Sequence, residues 1–134
     1  MSPLVCPPTA CSTCPYRRDT PPGIWHPEEY AKLPSYDPGA LVPALAAFHC
    51  HQEMVTGKPT VCRGWLAVHG DIPAVRISVI QGQIPPEEVD RPVAVALYAS
   101  GREACAAGLK GCQRPGKKAR AAAERLIARG GFRT

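Results

Sequence analysis

The sequence predicts a small, mainly α single domain over residues 1–134, with an irregular, metal-organised half at residues 1–70 and a helical half at 71–134. Three observations carry that expectation. Prolines, 16 in all beside 12 glycines, crowd the first sixty residues and exclude long regular elements there. Apolar residues recur at helical spacing in the second half. Cysteines fall in the irregular half, where something other than periodic burial has to hold the chain.

Taken in order, residues 1–23 read as loop, because Pro7, Pro8, Pro15, Pro21, Pro22 and Gly23 interrupt any helix or central strand. His26 to Leu33 reads as a short helix, with Pro27 in its first turn, Glu28 and Glu29 at its positive end, and Pro34 as its stop. Ala40 to Phe48 is apolar enough for a helix with Pro43 in its first turn, whereas Phe48 to His51 also suits a short extended piece. Thr60 is a candidate cap for a helix through Cys62, Trp65, Leu66 and Val68 that closes at Gly70. The spacing puts Cys62, Trp65, Leu66 and His69 on one face of it. Asp71 is a candidate cap for a further helix with Pro73 in its first turn, although the β-branched content of Ala74–Ile80 makes a strand the competing reading. Residues 82–92 read as a linker. Ser100 caps a helix over Gly101–Leu109 with Glu103 three residues on. The clearest helix runs from Pro115 to Gly130, with Ala119, Ala122, Ala123, Leu126 and Ile127 as its apolar stripe and Gly130 and Gly131 as its stop.

Composition narrows the function classes. No apolar run of about 18 residues exists, so no membrane span is expected. Residues 1–8 show no basic region leading into an apolar stretch, so a cytoplasmic location is expected. In a reducing compartment, clustered thiols bind metal or do redox chemistry more often than they form disulfides. The net charge is +5, but Lys110, Arg114, Lys117, Lys118, Arg120, Arg125, Arg129 and Arg133 stand against Glu124 alone in the last 25 residues, which leaves the rest slightly acidic. The basic C-terminal helix is therefore the expected contact for nucleic acid or a protein partner, weighed against a solvated face on a packed helix.

Four cysteines carry the chemistry. Cys11-Ser12-Thr13-Cys14 is a CxxC whose sulfurs reach one metal or one cluster, and no strand–helix pattern surrounds it as a thioredoxin-type pair requires. Two further donors are needed, and Cys50 and Cys62 are the candidates. Single knuckles with scattered partners suit iron–sulfur ligation, as does a proline after the knuckle, so a [4Fe–4S] cluster is the first cofactor expectation and Zn2+ the alternative. Cys6, His49 or His51 are candidate replacements for one ligand. Cys105 and Cys112 read as core cysteines, and Trp25 and Trp65 as packing lids. Arg17 offers charge compensation beside a thiolate centre, with a solvated turn capped by Asp19 as the competing view.

The motifs Cys11-Ser12-Thr13-Cys14-Pro15-Tyr16-Arg17-Arg18-Asp19-Thr20-Pro21-Pro22-Gly23-Ile24-Trp25, Phe48-His49-Cys50-His51 and Cys62-Arg63-Gly64-Trp65 resemble the pattern CxxCP[YW]RxDxPxGxW, FxCH and CxGW of a family of small uncharacterised proteins of high-GC bacteria and their phages. That resemblance implies that the four cysteines belong together. A looser similarity links the chain to zinc- or iron-chelating cysteine-cluster proteins. His26 and His69 lack a nucleophile or carboxylate at a recognisable spacing, and Glu28 and Glu29 diverge on a helix, so no acid–base dyad is read. With no phosphate loop, dinucleotide fingerprint or HExxH, the motifs favour a small intracellular metal-binding protein with a binding or regulatory role, redox sensing included. An Fe–S redox enzyme or electron carrier and a zinc-stabilised interaction module are the alternatives.

Overall fold

The computed structural model describes residues 3–50 and 57–128. Among the described residues, six α-helices follow in order: α1 (Pro27–Ala31), α2 (Arg63–Val68), α3 (Pro73–Ile80), α4 (Pro86–Val89), α5 (Gly101–Gln113) and α6 (Lys117–Ala128), with a 3₁₀ turn at Leu33–Tyr36 after α1. Among the described residues there is no sheet, only three isolated bridges: Val5 with Thr60, His49 with Val61 and Arg17 with Leu97. The mainly helical single domain expected from the sequence is what forms.

Local chemistry explains the helix starts. The His26 ring accepts at Nδ1 from the Glu28 amide at 3.1 Å, Pro27 fills the first position, and Glu28 and Glu29 sit where the dipole favours them. Ser100 caps α5 as expected, its Oγ accepting from the Glu103 amide at 3.1 Å. Asp37, on the distant 3₁₀ exit, adds to that cap: Oδ1 accepts from Gly101 N at 2.6 Å and Oδ2 from Arg102 N at 2.8 Å. Three of the four amides that a helix start leaves unpaired are thus satisfied.

Several boundaries differ from expectation. Residues 40–47 are not helical, and Leu41, Val42 and Leu45 are exposed; Phe48–Cys50 is instead drawn into extended pairing with Thr60–Cys62, so the apolar run has no core to face. Thr60 lies in that pairing rather than at a helix cap, and Cys62 is the residue that caps α2. Ala74–Ile80 is helix, but its cap is Ile72 without a side-chain bond, because Asp71 pairs with Arg76 at 2.7 Å. The 82–92 linker contains α4, started by Pro86 with Glu87 and Glu88 in its first turn. Helix α5 runs past Leu109 to Gln113. In α6, Ala119 and Ala122 of the expected stripe are buried and Ile127 is exposed; Gly130 and Gly131 lie outside the described residues.

The first half is not poor in core. Tyr16, Ile24 and Leu33 are fully buried beside Trp25 and Tyr30, and they join Val61, Trp65, Leu66, Val75 and Ile84 in one cluster. Tyr36 and Phe48 lie 5.5 Å apart by ring centroid, and Tyr36 meets Trp65 edge-on at 5.5 Å. Few aromatics suffice because most of them are gathered here.

Helix α5 docks against α1 and the 3₁₀ turn through small residues. At Gly108 an added Cβ would sit 2.5 Å from Tyr30 Cγ, and at Gly111 it would sit 2.6 Å from the Gly23 amide nitrogen and closer still to the Pro22 carbonyl. Gly23 itself has φ +89° and faces the Gly111 backbone, so both glycines are needed for one close backbone approach. Gly111→Ala, which in an open helix interior would stabilise by about 1 kcal/mol, is expected to destabilise by about 2 kcal/mol through overpacking. Urea denaturation of the variant measures the sign, with Gly116→Ala, whose Cβ would meet nothing, as the neutral control.

Candidate metal centre

Backbone pairing brings Cys50 and Cys62 to one place. Cys50 N donates to Thr60 O at 2.8 Å and Cys62 N to Phe48 O at 2.8 Å, while Val61 N donates to Val5 O at 2.9 Å on the other side. Side chains alternate along an extended segment, so Phe48 and Cys50 share a face and His49 has the opposite one. The burial agrees: Phe48 and Cys50 are buried, and His49 is exposed. His49 thus lies on the face opposite Cys50, and His51 lies outside the described residues.

The CxxC forms a tight turn, with Cys14 N donating to Cys11 O at 3.0 Å. Trp25 fixes it from the side: its indole Nε1 donates to Thr13 O at 2.8 Å, between the two cysteines. Cys112 of α5 in turn donates its thiol to Trp25 O at 3.4 Å. Arg17 Nη1 donates to Ala10 O at 3.0 Å, just before the knuckle, and its guanidinium also pairs with Asp19. The hydrogen bond to Arg17 holds the Asp19 carboxyl below its ordinary pKa.

These two pieces meet through sulfur. Cys14 Sγ lies 3.6 Å from Cys62 Sγ, and Cys11 Sγ lies 3.8 Å from Cys50 Sγ. All four residues named from the sequence are thus in play, arranged as two close pairs. Among the described residues, no group of three or more His, Cys, Asp or Glu side chains is already gathered as for an ion. Cys14, Cys50 and Cys62 are buried and Cys11 is half-buried. The Cys62 thiol is pushed well above its usual pKa by its hydrogen bond with Cys14, by burial and by the negative charge that Cys14 and Cys11 would carry. Opposing this, Cys62 Sγ accepts from the Trp65 amide at 3.5 Å, so the thiol doubles as the cap of α2. Cys6, Cys105 and Cys112 stand outside the two pairs; Cys6 is half-buried and directs its thiol to Leu4 O at 3.7 Å.

Two neighbours of the centre escaped sequence reasoning. Gly64 gives Cys14 its room, since a Cβ there would sit 2.5 Å from Cys14 Sγ and 3.2 Å from Tyr16 Cβ. Arg63 is a buried cation: Nε donates to Pro7 O at 2.6 Å, Nη1 to Glu88 O at 2.9 Å and Nη2 to the Glu88 carboxylate at 2.6 Å. Only its place beside Cys62 hinted at a role, and nothing in the chain order pointed to Glu88.

The chain matches the family of unknown function DUF6283 over residues 7–126. It belongs to that family. The match spans all four cysteines, α1 to α5 and nearly all of α6. No curated protein and no solved structure matches the chain. No helix among the described residues is long and apolar enough to cross a membrane.

Gly64→Ala is expected to push the Cys14 sulfur and the Tyr16 Cβ away from α2 and to cost about 2 kcal/mol. Gly70→Ala, whose Cβ would meet only ordinary contacts from 3.6 Å outward, is expected to be tolerated. Denaturation midpoints of the two variants, measured side by side, check the difference.

Proposed function

We propose that this DUF6283 protein holds one tetrahedral metal ion, Zn2+ by preference, through Cys11, Cys14, Cys50 and Cys62, and that it serves as a binding or regulatory protein. The observation that carries this reading is the pair of sulfur separations, 3.6 and 3.8 Å. A zinc–thiolate bond of about 2.3 Å gives a tetrahedral edge of about 3.8 Å. A [4Fe–4S] cluster, the first expectation from spacing, interposes its own iron and sulfide corners and holds cysteine sulfurs further apart. The thiol separations therefore favour the single ion. Joining the two pairs on one centre would tie residues 11–14 to residues 50–62.

A redox-sensing role fits the same proximity, because once the ion is lost a two-electron oxidant such as a peroxide, reduced to water or alcohol, converts a close thiol pair to a disulfide. The exposed Lys117, Lys118, Arg120 and Arg125 on α6 are the surface on which an acidic partner or nucleic acid would act, with salt-dependent affinity.

The test is metal analysis of anaerobically purified protein beside Cys14→Ser and Cys62→Ser variants. One equivalent of zinc, no visible colour, and loss of metal and of stability in both variants are expected. Full metal content and stability in both variants would overturn the ligand set. Iron with acid-labile sulfide and broad absorbance near the violet would replace the single ion by a cluster.

A further inference from the structure

A second concavity, with no cysteine on its walls, opens between the exit of the 3₁₀ turn, the α2–α3 connection, the end of α4 and the start of α5. Its volume is about 830 Å³, within the range of small-molecule sites. Val68, Ile72 and Val89 provide apolar wall. Asp37, Asp71 and Asp90 provide carboxylates, and neither lysine nor arginine lines the cleft, although the chain as a whole carries +5. A concave surface of one sign focuses the field on its interior.

The polar groups are held rather than loose. Asp37 is fixed by the Gly101 and Arg102 amides, and a carboxylate so held keeps lone pairs for a ligand. His69, 4% exposed, lines the same cleft with Nε2 3.1 Å from the Tyr16 hydroxyl and 3.7 Å from Asp37 Oδ1. Burial holds its pKa below the ordinary value, with the charge of Asp37 opposing. Asp71 is paired with the exposed Arg76, which does not line the cleft. Asp90, on the rim, has no ion pair with any described residue. A bare divalent ion does not suit the cleft, because no three of these donors converge among the described residues.

We propose that this cleft binds a small organic cation, an amine or guanidinium carried on an apolar body of about the size of one aromatic ring. The cation meets Asp90 and Asp37, and the body lies against Val68, Ile72 and Val89. The assignment is independent of the metal reading.

The experiment is an NMR amide-shift titration of the full chain as purified with phenethylamine, and with phenylacetate and 2-phenylethanol as its anionic and neutral counterparts. Phenethylamine is expected to shift the Gly70, Asp90 and Ser100 signals saturably, with both counterparts at least about tenfold weaker. Asp90→Asn, an exposed change that leaves the packing alone, is expected to weaken phenethylamine about fivefold, the scale of one partly screened ion pair. No saturable shift with phenethylamine, equal binding of phenylacetate, or unchanged affinity in Asp90→Asn would each overturn the proposal.

Discussion

The short antiparallel pairing of residues 48–50 with 60–62 governs much of this molecule. Two backbone hydrogen bonds, Cys50 N to Thr60 O and Cys62 N to Phe48 O, set the register. A slip of one residue would turn Phe48 and Cys50 to solvent and bring His49 inward. The same register hands Cys62 to the start of α2, where its sulfur caps the helix and faces Cys14. Helix α2 then carries Arg63, Trp65 and Leu66 into the interior. One local pairing thus positions a thiol pair, a helix start and a large part of the core.

The knuckle that meets this pairing is held by contacts that do not depend on sulfur. Trp25 ties the Thr13 carbonyl, the hydroxyl of Tyr30 accepts from the Gly23 and Trp25 amides at 3.1 and 3.3 Å, and Gly23 lies against the Gly111 backbone of α5. The irregular half is therefore braced from outside by α1 and α5. Its prolines and glycines are the means of fitting loop backbone tightly to helix backbone, and its aromatics supply the buried surface that periodic elements would otherwise provide.

This explains what was legible in the sequence. Helices α1, α5 and α6 announced themselves through caps, first-turn charges and a periodic pattern, all local signals. The CxxC and its proline marked a turn for equally local reasons. The grouping of Cys11, Cys14, Cys50 and Cys62 was readable because a CxxC needs two further donors, but their arrangement as Cys14 beside Cys62 and Cys11 beside Cys50 was not. What stayed hidden depends on distant partners. Residues 40–47 look helical until Phe48–Cys50 is claimed by Thr60–Cys62. Asp37 reads as a loop residue until the start of α5 arrives 64 residues later. Arg63 and Glu88 form a buried pair that neither local environment implies.

The same long-range chemistry links the two concave regions of the surface to a common frame. Arg63 follows Cys62 directly, and its three hydrogen bonds bind the N-terminal loop at Pro7 to α4 at Glu88, so α4 is held in place from the cysteine side. The end of α4 is one wall of the acidic cleft. On the opposite route, Tyr16 stands two residues after Cys14, and its hydroxyl meets His69, which borders Asp37 and thereby the cap of α5. Each route runs through a buried polar side chain, Arg63 on one side and His69 on the other, hydrogen-bonded to protein atoms, and such a network fixes its neighbours only while every member keeps its partners.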